Sequence, residues 1–329
     1  MITLQDRARG SLLGLAVGDA LGAPTEGKTP DEIFSLWGRV TDFLSKDQVG
    51  SDDTEYALFS AKLILERKKD LTSEYVADAW RKDIINSENS YKGAGFSEML
   101  TIQNLLKGLQ PPQSGQHLHS WSDGFAMRAA PYGIAFAGDP KFAANLAKED
   151  GLVSHSGEGI YSGQAVAAAI AMAMTGAELE NIFASALDVI PRYSWTYSSI
   201  MRAIQIGSSV DELWQVLKPL HQAIVCDYYF WSDIAPEAVG LAFGLIASSR
   251  GKFEEAVLGG VNIGRDTDTI ASIAGAICGA LNGVRVIPQR WIDRVHISRG
   301  VCIRAVSNMD IIRTADDLCL LAEQWSHQQ

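Results

Sequence analysis

The sequence predicts an all-α protein, and three features of its residue pattern support this fold class. Apolar side chains recur at helical spacing over most of the chain, as at Leu12, Leu15 and Ala16. Alternating apolar and polar runs, which are typical of strands, are scarce. A long stripe of small residues occupies positions 270–283. We therefore expect one compact multi-helix domain over residues 1–329.

The small-residue stripe predicts close helix packing. Gly275, Gly279 and Gly283 repeat at every fourth position, and Ala271 extends the series. This spacing puts them on one helix face, where the backbone of a neighbouring helix can approach closely. Glycine costs an exposed helix roughly 1 kcal/mol relative to alanine, so such a stripe indicates tight packing in the core rather than catalysis.

Composition limits the class of protein. The chain has 329 residues, of which 47% are hydrophobic and 20% charged, which is enough for a sizeable core. A formal net charge of -11 argues against nucleic acid or an anionic membrane as a general partner. The apolar runs 165–174 and 270–281 are shorter than the roughly 20 residues that a membrane helix needs, so we expect core helices there.

The amino terminus and the cysteines point to the cytoplasm. The first ten residues, MITLQDRARG, lack the layout of a secretory signal peptide. The four cysteines lie far apart with no C-x-x-C pair, which is typical of free thiols. We therefore expect a cytoplasmic protein without disulfides.

The first acidic motif is GSDDTE at 50–55, followed at once by an amphipathic run over 56–67. Ser51 would be a good N-cap, and acidic residues favour the positive end of a helix dipole. Helix capping and ligand binding therefore remain equally open for Asp52 and Asp53 when this motif is taken alone.

The second acidic motif is GRDTDT at 264–269, which directly precedes the small-residue helix. Two aspartates and two threonines exceed what one helix start can use. Asp266 and Asp268 would diverge by about 200° within a helix, whereas in an extended loop they can share a side. A loop could therefore present both carboxylates to one ion.

Convergence of the two motifs would require a cation, since four crowded carboxylates cannot all stay ionised without one. The ligand set would be all oxygen, with hydroxyls available from Ser51, Thr54 and Thr269. Oxygen ligands favour Mg²⁺ or Mn²⁺, with Ca²⁺ also open, over Zn²⁺.

One competing enzyme class uses a similar motif. The D-x-D spacing of Asp266 and Asp268 resembles that of haloacid-dehalogenase phosphatases, where the first aspartate is a nucleophile that follows a buried strand. Residues 256–263 could form such a strand. That fold is an alternating α/β sheet, and the chain lacks the β-rich runs that it needs. We therefore favour the helical interpretation.

Five motifs in order resemble the ADP-ribosylglycohydrolases, which include dinitrogenase-reductase-activating glycohydrolase and the ADP-ribosyl-acceptor hydrolases. They are GLAVGDALG at 14–22, SDDT at 51–54, MRAAPYG at 127–133, GRDTDT at 264–269 and GAICGALNG at 275–283, and they are followed by Ile287, Pro288 and Trp291. The resemblance implies an all-α ADP-ribosylglycohydrolase-like domain with a binuclear metal site holding two Mg²⁺ or Mn²⁺ ions.

The resemblance also implies a reaction, namely hydrolysis of the glycosidic bond between ADP-ribose and its acceptor. The partner would be an ADP-ribosylated protein, with arginine linkage expected first, or an ADP-ribosylated small molecule. Glu26, Asp53 and Asp266 are the candidate catalytic residues, and the transition state should be oxocarbenium-like. The implied metal ligands are Ser51, Asp52, Asp53, Asp266, Asp268 and Thr269.

Three departures from the family pattern affect substrate choice more than metal binding. Ser51 stands where threonine is commoner, which keeps the hydroxyl. Arg265 stands where many members have glycine, and an arginine beside the metals could alter the substrate. The segment 122–128 is looser than the family's usual Gly-Asn-Gly-like loop.

The predicted substrate-binding residues come from two turn-rich segments. Asp123, Gly124 and Phe125 could form a diphosphate and adenosine loop, because glycine lets backbone N–H groups approach phosphate. A simple turn is the alternative. His155 stands where relatives place a pocket histidine, although a structural histidine fits almost as well.

Other candidates have plainer interpretations. Two histidines in a polar loop, His117 and His119, have no third ligand nearby, and we expect them at the surface. An aromatic cluster could stack an adenine, but core packing is the safer expectation. Its members are Trp195, Tyr197, Tyr228, Tyr229, Phe230 and Trp231.

A non-enzymatic role is the remaining alternative. A crystallin-like relative could keep the fold, or a toxin-neutralising protein could bind its target. Retention of both acidic motifs argues against a purely structural role. The sequence leaves the oligomeric state and the acceptor open.

Overall fold

The fold is all-helical, as the sequence predicts. The computed structural model describes residues 2–86, 95–210 and 212–327, and over these ranges it contains sixteen α-helices and no β-strand. The first eight helices are α1 (Leu4–Gly22), α2 (Pro30–Trp37), α3 (Asp52–Arg67), α4 (Ser73–Ala79), α5 (Phe96–Leu106), α6 (Ala130–Ala135), α7 (Pro140–Gly151) and α8 (Glu158–Ala173). The others are α9 (Leu179–Asp188), α10 (Trp195–Ser208), α11 (Leu213–Ile224), α12 (Ala235–Ser248), α13 (Phe253–Asn262), α14 (Thr267–Asn282), α15 (Gln289–Val295) and α16 (Ile311–Ser326).

Local sequence signals set the limits of the helices that matter most. Thr3 caps α1 through a capping box with Asp6. Helix α14 begins after Asp266, which is its N-cap residue, and it ends at Gly283, whose φ of 75° suits glycine. These two helices carry the small residues of the predicted stripe.

Helices α1 and α14 lie antiparallel with their backbones in direct contact. A Cβ atom added to Gly275 would overlap the carbonyl oxygen of Gly14, and one added to Gly279 would overlap that of Gly10. The predicted close approach is confirmed, and α1 supplies a matching stripe at the same four-residue spacing. The facing pairs are Gly10 with Gly279, Gly14 with Gly275, Gly18 with Ala271 and Gly22 with Asp268.

Hydroxyl groups join the end of α1 to the start of α14. Thr267 donates to the carbonyl oxygen of Gly22 at 2.9 Å, and Thr25 donates to the same oxygen at 2.9 Å. Thr25 also lies 2.8 Å from the carbonyl oxygen of Val261 in α13. The carboxyl end of α1 and the amino end of α14 are therefore held together.

The core surrounds this helix pair. Helices α8, α12 and α14 are buried on nearly every face, α10 packs on α12, and α7 packs on α8. The two apolar runs of the sequence therefore lie in core helices, as predicted. Among the described residues, none of the helices combines the length and the apolar character needed to cross a bilayer.

The carboxyl-terminal segment is attached to α3 through one buried carboxylate. Glu55 accepts backbone N–H bonds from Val301, Cys302 and Ile303, each at 2.7 Å. It lies in the first turn of α3 beside the first acidic motif, so the position of α3 depends on a segment almost 250 residues away.

The phosphatase alternative is wrong, because the strand that it requires before Asp266 is a helix. Residues 256–263 belong to α13 and its carboxyl end, and they form no strand. An aspartate that followed a buried strand would need a sheet, and the described part of the chain has none.

We predict that Gly275→Ala destabilises the protein by about 3 kcal/mol, because the new methyl group would displace the backbone of α1. The gain in helix propensity, about 1 kcal/mol, offsets only part of this cost. Urea denaturation would measure the change in the free energy of unfolding.

The matched control for this prediction is Gly240→Ala in α12. Its added Cβ would first meet a side-chain atom, the Cβ of Ser199, at 3.0 Å. We expect a change within about 1 kcal/mol there. Equal effects of the two substitutions would contradict backbone contact as the cause.

Candidate active site

The two acidic motifs meet at one cavity of about 660 Å³. Its wall combines carboxylates, small polar groups and aromatic rings from at least five elements of the chain. The main lining residues are Glu26, Ser51, Asp52, Asp53, Phe96, Ser97, Glu98, Ser122, Asp123, Gly124, Met127, Phe230, Trp231, Ser232, Asp233, Asp266, Asp268 and Thr269.

Three carboxylates converge closely enough to share one ion. Oxygen atoms of Glu26, Asp266 and Asp268 all lie within 4.8 Å of one another. Asp266 has the non-helical backbone of an N-cap, whereas Asp268 lies in the first turn of α14. Only Asp266 therefore has the non-helical conformation that the sequence argument required of both residues. The change of conformation between Asp266 and the helical Asp268 lets them face the same point. Glu26 reaches them from the exposed turn after α1.

Asp53 connects the first motif to the second. The hydroxyl of Thr269 donates to Asp53 Oδ1 at 3.1 Å, while Asp53 Oδ2 is buried without any hydrogen-bond partner. An orphaned carboxylate oxygen of this kind is costly unless a cation or a donor meets it. Asp52 precedes it at the start of α3 and is half-buried at the cavity wall.

Asp19 is a buried carboxylate to which the sequence analysis assigned no role. It accepts hydrogen bonds from the backbone N–H and the hydroxyl of Ser51, at 2.7 and 2.6 Å, and from the N–H and hydroxyl of Thr54. The Ser51 hydroxyl donates its proton to Asp19, so its lone pairs stay available to a cation. An aspartate within the otherwise apolar run 12–22 of α1 was the available signal.

Burial and mutual repulsion raise the pKa values of these acids. Burial raises the pKa of Asp53, Asp266 and Asp268 well above the usual range, and neighbouring carboxylates raise each further. Burial, and then the charges of Asp19 and Glu98, raise the pKa of Asp52 to about 7. The protein alone therefore favours partly protonated acids, and a bound cation would reverse that preference.

The residues present fit a hard divalent cation. Every candidate donor at the convergence is an oxygen, and Asp53, which lines the same cavity, has a buried carboxylate oxygen without a partner. Mg²⁺ and Mn²⁺ prefer such donors. The cluster of Glu26, Asp266 and Asp268 could therefore hold a metal ion.

Asp123 and Gly124, two of the predicted substrate-binding residues, lie in the lining of the cavity. Asp123 Oδ2 is buried without a hydrogen-bond partner, and its backbone N–H donates to the carbonyl oxygen of Asp233 at 3.2 Å. Gly124 is packed against the carboxylate of Glu98, which would overlap any Cβ there. Glu98 and Asp233, two further acids without an assigned role in the sequence analysis, thus share this wall.

Phe125 and His155 lie behind the cavity wall and do not line it. The ring of Phe125 is fully buried against Gly151 and Gly163. His155 is also fully buried, and its Nε2 lies 3.1 Å from the hydroxyl of Ser122, which does line the cavity. Burial lowers the pKa of His155 well below the usual range. We therefore replace the predicted direct contacts of both residues by support of the wall.

Two expectations about ring side chains are wrong. The aromatic cluster was expected in the core, yet Tyr228 and Phe230 are 99% and 92% exposed, because they lie on a connection between α11 and α12. His119 was expected at the surface, yet it is buried between Phe96 and Trp231, with ring centroids 5.1 and 4.9 Å away. Phe96, Phe230 and Trp231 line the acidic cavity and form its aromatic rim, and His119 packs on two of these rings, Phe96 and Trp231.

The side chain of Arg265 points away from the acidic cluster of Glu26, Asp266 and Asp268. Its Nε donates to Glu237 Oε2 at 2.9 Å, and Nη2 donates to the carbonyl oxygen of Trp231 at 2.7 Å. The positive charge of Arg265 therefore lies beside the aromatic rim and does not neutralise the acids of the cluster.

We predict that the metal-free protein becomes less stable as the pH rises from about 4 to about 7. Asp52, with a folded pKa of about 7, keeps a proton when folded that it has already lost when unfolded, so folding is disfavoured as the pH rises through this window. Thermal unfolding with EDTA measures the loss, and added Mg²⁺ or Mn²⁺ should restore stability. A melting temperature indifferent to metal at about pH 8 would contradict a cation site.

Comparison with known proteins gives a consistent family. The sequence model of the ADP-ribosylglycohydrolase family matches residues 1–328. An uncharacterized protein of Archaeoglobus fulgidus is 32% identical over 300 residues, covering 88% of this chain and 92% of its own length. The ADP-ribosylarginine hydrolase Tri1 of Pseudomonas putida is 24% identical, with coverage of 95% and 80%.

Further matches agree in sequence and fold. The ADP-ribosylhydrolase ARH3 of Danio rerio is 26% identical, with 88% of this chain and 86% of its own covered. A solved structure described as an ADP-ribosylglycohydrolase-related protein complex superposes with a TM-score of 0.68 at 23% identity, over 97% of this chain and 99% of its own. With this fold and the acidic cavity, the chain belongs to the ADP-ribosylglycohydrolase family.

Proposed function

We propose that this protein is a metal-dependent hydrolase that cleaves the glycosidic bond between ADP-ribose and an arginine side chain. The convergence of Glu26, Asp266 and Asp268 in a large acidic cavity is the observation that carries the proposal. Family membership and relatives named as ADP-ribose-acceptor hydrolases support the reaction class.

We propose two Mg²⁺ or Mn²⁺ ions as cofactors. The residues that would hold them are Ser51, Asp52, Asp53, Asp266, Asp268 and Thr269, with Glu26 beside them. Bound there, the metals would supply Lewis-acid polarisation and a more acidic water. Their charge would also offset the repulsion among the buried acids.

The protein's own groups would handle the proton and the substrate. Glu26, whose pKa burial and the Asp233 charge raise, is the acid at the mouth of the cavity and can take a proton from an attacking water. Asp53 and Asp266 would orient that water from the inner side. Asp123 and Gly124, which line the same cavity, would contact the ADP-ribose portion.

Arginine linkage suits the charge of the cavity. Asp123 and Asp233 each present a buried oxygen without a hydrogen-bond partner, and a guanidinium group supplies five N–H donors. The buried oxygen of Glu98 instead lies 3.7 Å from the guanidinium of Arg128. The relative from Pseudomonas putida is named an ADP-ribosylarginine hydrolase, which supports the same acceptor. The partner would thus be an ADP-ribosylated protein, or a small ADP-ribosylated molecule that carries a guanidinium.

Two more general proposals accompany this function. We propose that residues 1–329 form one domain, supported by a hydrophobic core with members from α1 to α16. We also propose a cytoplasmic location, which agrees with four free cysteines.

We predict that Asp266→Asn lowers the release of ADP-ribose from arginine-linked ADP-ribosyl peptides by at least about 100-fold, because it removes one charged oxygen from the cluster. Chromatography with Mg²⁺, with Mn²⁺ and with EDTA measures free ADP-ribose. Serine-linked peptides should react more slowly if the cavity selects a guanidinium.

Asp317→Asn is the matched control, since Asp317 is exposed on α16 and makes the same change of charge. It should keep the full rate. An unchanged rate for Asp266→Asn would contradict the proposed centre, whereas faster cleavage of serine-linked peptides by the unmodified protein would contradict the acceptor alone.

A further inference from the structure

One loop forms most of the aromatic rim. The rim loop, residues 226–234, joins α11 to α12 and places Phe230, Trp231, Ser232 and Asp233 against the cavity. Phe230 is 92% exposed, so packing of its own ring does not hold the loop in place. Two other rings of the loop do pack, Trp231 on His119 and Tyr229 on Trp121, with centroids 4.9 and 5.2 Å apart. Polar contacts hold the backbone of the same loop.

A buried ion pair holds the loop from behind. Glu237, fully buried in the first turn of α12, accepts from the N–H of Cys226 at 2.6 Å and from Arg265 Nε at 2.9 Å. Arg265 Nη2 then donates to the carbonyl oxygen of Trp231 at 2.7 Å. The guanidinium and the carboxylate together fix both the start of the rim loop and the residue at its tip.

The backbone of Arg265 holds a second part of the site. Its N–H donates to the carbonyl oxygen of Lys28 at 2.9 Å, and its own carbonyl oxygen accepts from Gly27 N–H at 2.9 Å. These bonds fix the turn that carries Glu26. Arg265 thus contacts both the turn that carries Glu26 and the loop that carries the aromatic rim.

Arg265 has a backbone conformation that a glycine would adopt more easily. Its φ is 68°, in the left-handed region that L-residues with a Cβ atom rarely occupy. A strained residue of this kind persists when surrounding contacts fix it, and such strain is common at functional sites. Here it is fixed by the side-chain contacts with Glu237 and Trp231 and by the backbone bonds to the Glu26 turn.

We propose that Arg265 is a positioning residue that orders the rim loop over the cavity and so sets the affinity for the planar groups of the substrate. The ordering of the loop stands on the contacts alone. The effect on affinity rests on the proposed function, because a substrate must be turned over to reveal it. The side chain of Arg265 donates to Glu237, Tyr229 and Trp231 and not to the acidic cluster. A change of this side chain keeps the backbone bonds to the Glu26 turn, so the chemical step itself should change little.

Arg265→Gly tests the proposal without adding strain, since glycine accepts the positive φ. We expect deuterium exchange of the rim-loop amides to rise by about tenfold or more, because the loop loses its contacts. The KM for an arginine-linked ADP-ribosyl peptide should rise about tenfold, with kcat within about twofold. Stabilisation by Mg²⁺ should be unchanged.

Two further variants separate strain from positioning. Arg265→Ala removes the same contacts but keeps a Cβ atom at positive φ, so it should match the glycine variant in KM and melt at a lower temperature. Arg290→Ala removes a surface arginine that pairs with Asp42 and should leave exchange and KM unchanged.

Unchanged exchange in residues 226–234 together with an unchanged KM in Arg265→Gly would overturn the proposal. An equal fall in kcat and kcat/KM would also overturn it, since that pattern indicates a role in the transition state. If the unmodified protein releases no ADP-ribose, the proposed function fails, and the exchange experiment still decides whether Arg265 orders the loop.

Discussion

Direct contact between the backbones of α1 and α14 is the constraint on which the rest of the structure depends. The facing glycines leave no side chain between the two helices, so the end of α1 and the start of α14 can share one point. Gly22 faces Asp268 there, and the turn after α1 then delivers Glu26 to the same place. A packing feature without any chemistry of its own thus determines which carboxylates meet. A methyl group at one stripe position would disturb the acidic cluster without touching an acid.

The buried acids fall into two groups by hydrogen bonding. Asp19 and Glu55 have their oxygens satisfied by backbone N–H and hydroxyl donors, and they position α3. Asp53, Asp123 and Asp233 each keep one buried oxygen without a partner, and these oxygens belong to residues that line the cavity. Buried polar atoms in folded proteins are normally paired, so the unpaired group marks where a ligand is needed. The paired group shows how the protein keeps these acids in place before any ligand arrives.

The sequence was sufficient for the parts of the molecule that local patterns encode. Helical periodicity gave the fold class, the four-residue repeat of glycine gave the helix contact, and two short motifs gave six residues that line or adjoin the acidic cluster. It could not place Glu98 or Asp233, because a lone acid in a helix or loop looks the same whether it faces solvent or a cavity. It misplaced Tyr228 and Phe230, because the sequence does not distinguish an aromatic residue in the core from one on an exposed rim. The sequence also could not show that Phe125 lies behind the wall of the acidic cavity and does not line it.

The helix pair also imposes a delay on the newly made chain. Leu15 in α1 accepts a hydrogen bond from Ser272 in α14, a partner 257 residues later. At roughly 5–20 residues per second, a ribosome needs on the order of ten seconds to a minute to deliver that partner after α1 has emerged. During this interval the glycine-lined face of α1 lacks its partner α14, although α3 and α6, which also pack on α1, have already been made. Folding of the site is therefore a late event in synthesis, and nascent α1 is a natural substrate for chaperones that bind exposed apolar helices.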